Sequence, residues 1–210
     1  MDRKSKRIIK ELKGHSGNKI NLIESDNMLY VEKTGNIERN VERLMQLYRE
    51  MYPVPFIYDT DRKTYLNMEY CHGIDMKEYL KTHTIHRLSK FIIDTLTSFS
   101  RVTMFDYTGV YYQKLQFLDE VDDLPFTKEE LIKKLPKELP RSNYHGDFTL
   151  ENLIYSNDEF IMIDAVTIEY DSYVFDIAKL RQDLECKWFL RESDLRLNTK
   201  LKMLQEDILK

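Results

Sequence analysis

Little in this chain could staple it, unwind it or carry it across a membrane. Only two cysteines are present, Cys71 and Cys186, far apart and without a pairing pattern. That argues against a disulfide framework and suits reduced thiols in the cytoplasm. Six glycines and five prolines among 210 residues are too few for a fibrous or linker-like chain. No apolar run approaches the ~18 residues of a membrane span, and the opening MDRKSKRIIKELKG has no stretch of signal-peptide character. Nor is there an excess of positive charge. The 32 basic residues face 36 acidic ones, for a formal charge of -4, which leaves no strongly cationic face for a phosphate backbone and argues against a nucleic-acid partner.

What is present is core material: 42% of the residues are hydrophobic and 12% aromatic, enough for one compact domain or two closely packed lobes. The first third has strand character. KRIIKEL, KINLIES and NMLYVEK are short runs rich in Ile, Leu, Val and Tyr, separated by KGHSGN and SDN turn chemistry, and they predict an antiparallel meander. NIERNVERLMQLYREMY then puts Ile37, Val41, Leu44 and Leu47 on helical spacing, with Pro53 and Pro55 as the stop. PFIYDTDRKTYLNMEYCHG predicts two further strands around a DTDRK turn. From IDMKEYL onward the pattern becomes helical and ends in SDLRLNTKLKMLQEDILK, where Leu197, Leu201, Leu204 and Ile208 share one side. Strands first and helices later predict an α+β fold of two lobes, residues 1–72 and 73–210, with the boundary near Gly73 to Asp75.

The chemistry concentrates in SNYHGDFTLENLIYSNDEFIMIDAVTIEY. LIYS and FIMID read as a β-hairpin turning at Asn157 to Glu159, so Asn152 falls just before one strand and Asp164 just after the other. Asp147 lies in the loop that leads in. Singly, each of these reads equally well as a turn residue. Taken as a set, with His145 and Gly146 beside them, these three side chains are hard oxygen donors at one end of a hairpin, suited to a magnesium ion that borrows its other ligands from phosphates.

HGDFTLENLIY followed by FIMIDAVTIEYDSYVFDIAKL resembles the signature of the aminoglycoside phosphotransferase and choline kinase superfamily, relatives of the protein kinases. The likeness runs from about Leu12 to Leu180 and implies a two-lobed protein-kinase-like fold, with a five-stranded antiparallel sheet and one helix in the first lobe. It also implies an ATP- and magnesium-dependent transfer of the γ-phosphoryl group to a hydroxyl of a small molecule: a sugar, an amino alcohol or an aminoglycoside-like compound. Protein kinases usually carry arginine where this chain has Gly146, and Phe-Gly where Ala165-Val166 follows Asp164; both departures favour a small acceptor.

Carried over residue by residue, the resemblance makes Asp147 the catalytic base, Asn152 and Asp164 the magnesium ligands, and Lys33 the cation at the phosphates. Glu42 is the helical carboxylate that would orient Lys33, with Glu38 one turn earlier as the alternative. Ser16, Gly17 and Asn18 would cover the phosphates, and the backbone at Glu69 and Cys71 would meet adenine. His145 would brace the loop. Asp176 is either a helix N-cap or the acidic residue that receives the catalytic-loop amides. His83 and His86 are three apart but lack further metal-ligand spacing, and read as surface residues. Only about thirty residues follow DIAKL, so the acceptor site would be small, open, or completed by Tyr107 to Tyr112, Trp188 and a second subunit, a homodimer through the C-terminal helix. A protein kinase and a nucleotide-binding pseudokinase scaffold are the rival readings.

Overall fold

The structure, a computed structural model, describes residues 6–12, 17–100, 103–190 and 194–209. Three consecutive antiparallel strands begin the chain, β1 (Arg7–Leu12), β2 (Lys19–Ser25) and β3 (Met28–Thr34). The β2–β3 turn is set by Asp26 and Asn27, both at positive φ (53° and 61°), a backbone that matches the right-handed twist of the flanking strands and that Asp and Asn tolerate. Helix α1 (Glu38–Arg49) follows, then β4 (Ile57–Thr60) and β5 (Tyr65–Glu69). The sheet order is β1-β2-β3-β5-β4, so the second hairpin adds to the meander through β5. Helix α1 packs on this sheet through Ile37, Val41 and Leu44, which form a cluster with Leu66. It ends where Met51 takes up left-handed backbone (φ 64°), two residues before Pro53.

The chain then enters the second lobe. Strand β6 (Ile74–Asp75) leads directly into α2 (Met76–Thr82), capped by the Asp75 side chain at the Glu78 amide. Helix α3 (His86–Phe99), β7 (Met104–Asp106), α4 (Thr108–Lys114), α5 (Lys128–Lys134) and β8 (Glu138–Pro140) follow. Strands β9 (Leu153–Ser156) and β10 (Glu159–Met162) form the predicted hairpin, its turn again made of two left-handed residues, Asn157 and Asp158. Helices α6 (Tyr173–Glu185) and α7 (Leu195–Ile208) complete the lobe.

The large core joins α2, α3, α6 and α7 to the underside of the β9–β10 hairpin. The C-terminal leucine stripe belongs to that core: Leu197, Leu201 and Leu204 are all buried in their own chain. The stripe thus reads as a packed helix, the first of the two readings its sequence pattern allows. Among the described residues no helix is long and apolar enough to cross a membrane.

The lobes are joined across the hairpin. The Met162 amide donates to the Pro53 carbonyl (2.8 Å), and the Thr167 amide to that of Arg39 (2.9 Å).

Candidate active site

A cavity of about 1330 Å³ lies between the sheet and the helical lobe. Pockets for one ligand run to ~1,000 Å³, so this one has room for two reactants. Its inner part is apolar, with Ile20, Val31 and Met68 above and Ile154 and Ile163 below. Glu69 and Cys71 line its back, where β5 runs out. Burial pushes the Cys71 thiol up to about 11, so it stays protonated at neutral pH.

Four polar side chains meet at the centre. Lys33 descends from β3 and is 2% exposed. Its ammonium pairs with Asp164, just beyond β10. Asp164 takes left-handed backbone (φ 58°), a conformation aspartate accepts more readily than most residues. The Asn152 side-chain amide donates to the Asp147 carbonyl (2.8 Å) and to Asp147 Oδ2 (3.0 Å). The Asn152 carbonyl in turn accepts from the Ile163 amide (2.9 Å), which draws Asp164 alongside. Lys33, Asp147, Asn152 and Asp164 all line the cavity.

Helix α6 holds the loop that carries Asp147. Asp176, Lys179 and Asp183 fall at i, i+3 and i+7, on one helical face, and each meets a different part of residues 145–150. Asp176 is fully buried and accepts from the amides of His145 (2.5 Å) and Gly146 (2.8 Å). The N-cap of α6 is Ser172 instead, so of the two roles open to Asp176 it is the loop-binding one that is realised. Lys179 Nζ lies 3.1 Å from Asp147 Oδ1. Asp183 accepts from the Leu150 amide (2.7 Å). Burial raises the carboxyls of Asp176 and Asp183 to about 6 each, against the opposing pull of those amides.

His145 is completely buried, and burial lowers its pKa to about 4. It is therefore neutral, with Nδ1 receiving the Asp147 amide (3.3 Å). Gly146 is required by contact as well as by its φ of 94°: a Cβ there would lie 2.0 Å from the Val166 carbonyl oxygen. The loop and the segment after Asp164 thus touch through backbone, joined by the Val166 amide donating to the His145 carbonyl (3.0 Å).

The expected lysine partner on α1 is corrected by the helix's own orientation. Ile37, Val41, Leu44 and Leu47 are its buried apolar positions. Glu42 is about 100° past Val41 around the axis and is exposed, as is Glu38. Neither pairs with Lys33, whose carboxylate partner is Asp164. The side chain that α1 does bring to this point is Asn40, whose Nδ2 donates to Asp164 Oδ1 (3.2 Å) and to the Ala165 carbonyl (3.0 Å). One turn on, Arg43 is 1% exposed. Its Nε donates to the Tyr144 carbonyl (2.6 Å), its Nη2 donates to Asn143 Oδ1 and to the same carbonyl, and its guanidinium lies 3.9 Å from the Tyr144 ring centroid.

Asn40, Arg43, Lys179 and Asp183 escaped sequence reasoning. The available signal was spacing: Asn40, Arg43 and Leu47 fall at i, i+3 and i+7, placing two polar residues beside an apolar stripe.

Gly17 and Asn18 do not line the cavity; the Asn18 side chain packs against Gly35, where an added Cβ would lie 2.2 Å from its oxygen. Ser16 falls outside the described residues. Trp188 lines the cavity, but Tyr107 and Tyr111 are buried in a separate cluster with Ile132 and Leu139. His83 and His86 are exposed. Among the described residues no three His, Cys, Asp or Glu side chains are grouped so as to hold a metal ion.

Comparison with known proteins returns the same architecture. A model of the phosphotransferase enzyme family matches residues 33–201. Among solved structures, the apo form of a thermostable mutant of the aminoglycoside phosphotransferase APH(4)-Ia is 12% identical, with a TM-score of 0.65 over 96% of this chain and 79% of that one. A ternary complex of a mutant of that enzyme with ADP and hygromycin B is 13% identical, with a TM-score of 0.59 over 95% and 83%. A protein from Haemophilus somnus 129PT with a provisional fructosamine-3-kinase assignment is 13% identical, with a TM-score of 0.56 over 98% and 91%. No curated protein sequence matches the chain. At these identities the solved structures speak to the fold.

Proposed function

The chain belongs to the phosphotransferase enzyme family, and from that premise we propose that it moves the γ-phosphoryl group of ATP, with magnesium, onto a hydroxyl of a small molecule. The reading is carried by one observation: Lys33, Asp147, Asn152 and Asp164 line a single cavity with room for two reactants. Adenine would occupy the apolar slot, against the backbone at Glu69 and Cys71; one of the solved structures of similar fold is a complex with ADP. Lys33 would offset the charge of the phosphates.

The donor set fits magnesium. With its Nδ2 turned to Asp147, Asn152 keeps its side-chain oxygen for a cation, and Asp164 supplies a carboxylate. Magnesium commonly takes one or two protein oxygens and completes its shell with phosphates and water. Bound there, it would neutralise charge on the transferring group.

Asp147 would receive the acceptor's hydroxyl. Its carboxylate is oriented from both sides, at Oδ1 by Lys179 and at Oδ2 by Asn152. The acceptor oxygen bonds to the γ-phosphorus as the bond from that phosphorus to the β–γ bridging oxygen breaks; Asp147 takes the hydroxyl proton and ADP departs. Positioning supplies most of the acceleration, and general-base help adds typically ~10²–10⁴-fold.

The test is a screen of alcohols and peptides with γ-labelled ATP, run on the intact protein and on Asp147→Asn. Labelled small alcohol from the wild type only, with ATP binding retained in the variant, is the expected result. Label on peptide alone would instead indicate a protein kinase. Nucleotide binding without any turnover would indicate a scaffold.

A further inference from the structure

Residues 147–152, the loop that presents Asp147, contain no basic side chain. A cation meeting the transferring group on the acceptor's side must therefore come from another element. Five carboxylates and four lysines line the cavity, so its total charge does not say which lysine that is; position decides. Lys33 descends from the sheet, is 2% exposed and is committed to Asp164. Of the other three, Lys179 alone among the described residues is paired with one of the central side chains, its Nζ lying 3.1 Å from Asp147 Oδ1.

Helix α6 fixes where that ammonium stands. Asp176 and Asp183, on the same helical face as Lys179, accept from the amides of His145, Gly146 and Leu150. Helix and loop are thereby held together, and Lys179 keeps its place beside Asp147. Asp183, one turn beyond Lys179, is buried, its Oδ1 has no hydrogen-bond partner among the described residues, and its charge attracts the ammonium. The Lys179 side chain is 45% exposed and lines the cavity. An ammonium carries three donors, so with one directed at Asp147 others remain for a ligand in that cavity.

We propose that Lys179 is a further catalytic residue, which donates to an oxygen of the γ-phosphoryl group while it holds Asp147. This rests on the phosphotransfer reading above and deepens it. The acceptor hydroxyl must come within about 2.6–3.2 Å of Asp147, and the phosphorus it attacks lies about 3–3.5 Å farther on. A phosphoryl oxygen turned toward α6 is then within reach of an ammonium already at that carboxylate. Lys179 keeps its protons throughout. The acceptor oxygen bonds to phosphorus, the bond to the bridging oxygen breaks, the hydroxyl proton goes to Asp147, and the ammonium offsets charge on the transferring oxygens. Lys33 thus serves the nucleotide side of the reacting centre and Lys179 the acceptor side.

The experiment reads the γ-phosphate contact without turnover. Titration calorimetry with magnesium present gives the affinities of ADP and of AMP-PNP, an unreactive ATP analogue, and their ratio isolates what the γ-phosphoryl group contributes. Lys179→Met keeps the stem and the helix propensity. It should lower the preference for AMP-PNP by about tenfold or more, the worth of one charge-assisted hydrogen bond, with ADP affinity and the urea midpoint near wild type. Lys179→Arg should keep most of the preference. Because loss of the ammonium also leaves Asp147 to repel the phosphate, Lys179→Met is repeated in an Asp147→Asn background. A direct contact predicts the same loss there, whereas a lysine that acts only as counter-ion to Asp147 predicts none. No loss in that background, no loss in Lys179→Met itself, or an equal loss for both nucleotides overturns the catalytic role and leaves phosphotransfer standing. Absence of nucleotide binding by the wild type overturns both.

Discussion

Replacing Arg43 by methionine keeps the length of the stem and removes every donor it sends to Asn143 and Tyr144, in the stretch of chain that leads to Asp147. Arg43 makes one bond to Asn143 and two to the Tyr144 carbonyl, and it stacks on the Tyr144 ring, all with 1% exposure. Hydrogen bonds from a charged donor are worth roughly 1.5–3 kcal/mol each, and a buried acceptor left without a partner costs about 1–3 kcal/mol. The cation–π contact adds about 2 kcal/mol when desolvated. Against this stands the penalty of burying a guanidinium, visible in the downward displacement of its pKa by burial; methionine escapes that penalty. Breaking a buried charged network by removing one partner typically leaves a net loss of about 3–5 kcal/mol. Urea unfolding at neutral pH, followed by circular dichroism, should show that loss as a lowered midpoint with an unchanged slope. Because domains hold ~5–15 kcal/mol in total, the variant should still be mostly folded in the cold. Arg43→Lys, which keeps the charge but not the planar fork, should fall between. A loss below about 1 kcal/mol for Arg43→Met would refute the claim that this side chain ties α1 to the segment at Asn143 and Tyr144.

Three further outcomes are expected. Asp164→Ala should abolish metal-dependent turnover, and since no group of three ligating side chains exists among the described residues, magnesium should bind the wild type measurably only together with nucleotide, as read by titration calorimetry. Gly146→Ala should lower the melting temperature severely, at a cost of about 2–4 kcal/mol from left-handed strain and from the clash with the Val166 carbonyl; an unchanged melting curve would mean that the loop relaxes freely. The carboxyls of Asp176 and Asp183 sit near 6 in the folded chain against 3.8 when unfolded. The folded state therefore binds more protons between those values, and each group should add stability as pH falls from about 6 to about 4, by up to ~3 kcal/mol. Asp183→Asn should flatten that dependence relative to wild type; identical slopes would exclude this residue as its source.

How much of this was legible in the sequence differs from residue to residue. The β2–β3 and β9–β10 turns announced themselves because Asp-Asn and Asn-Asp are chemically suited to the left-handed backbone they adopt. Asp147, Asn152 and Asp164 could be grouped because a short hairpin leaves little freedom in where its ends lie. Glu42 could not be placed by that logic. A helix's rotation about its axis is fixed by what it packs against, and here Ile37, Val41, Leu44 and Leu47 turned Asn40 inward and the glutamates outward. Arg43 was hidden for the same reason, since its acceptors lie a hundred residues away in sequence. Lys179 lay in plain view within DIAKL, yet only the grip of Asp176 and Asp183 on the loop brings it to Asp147.

Helix α1 is fastened below at Arg39 to the Thr167 carbonyl, at Asn40 to that of Ala165 and at Arg43 to that of Tyr144. Three successive contact points along one helix leave it no room to swing outward, and the dozen residues from Asp164 to Asp176 are too few to form a long movable flap. The position of α1 is thereby tied to that of the segments it grips, so a disturbance at either should be felt at Lys33 through Asn40 and Asp164.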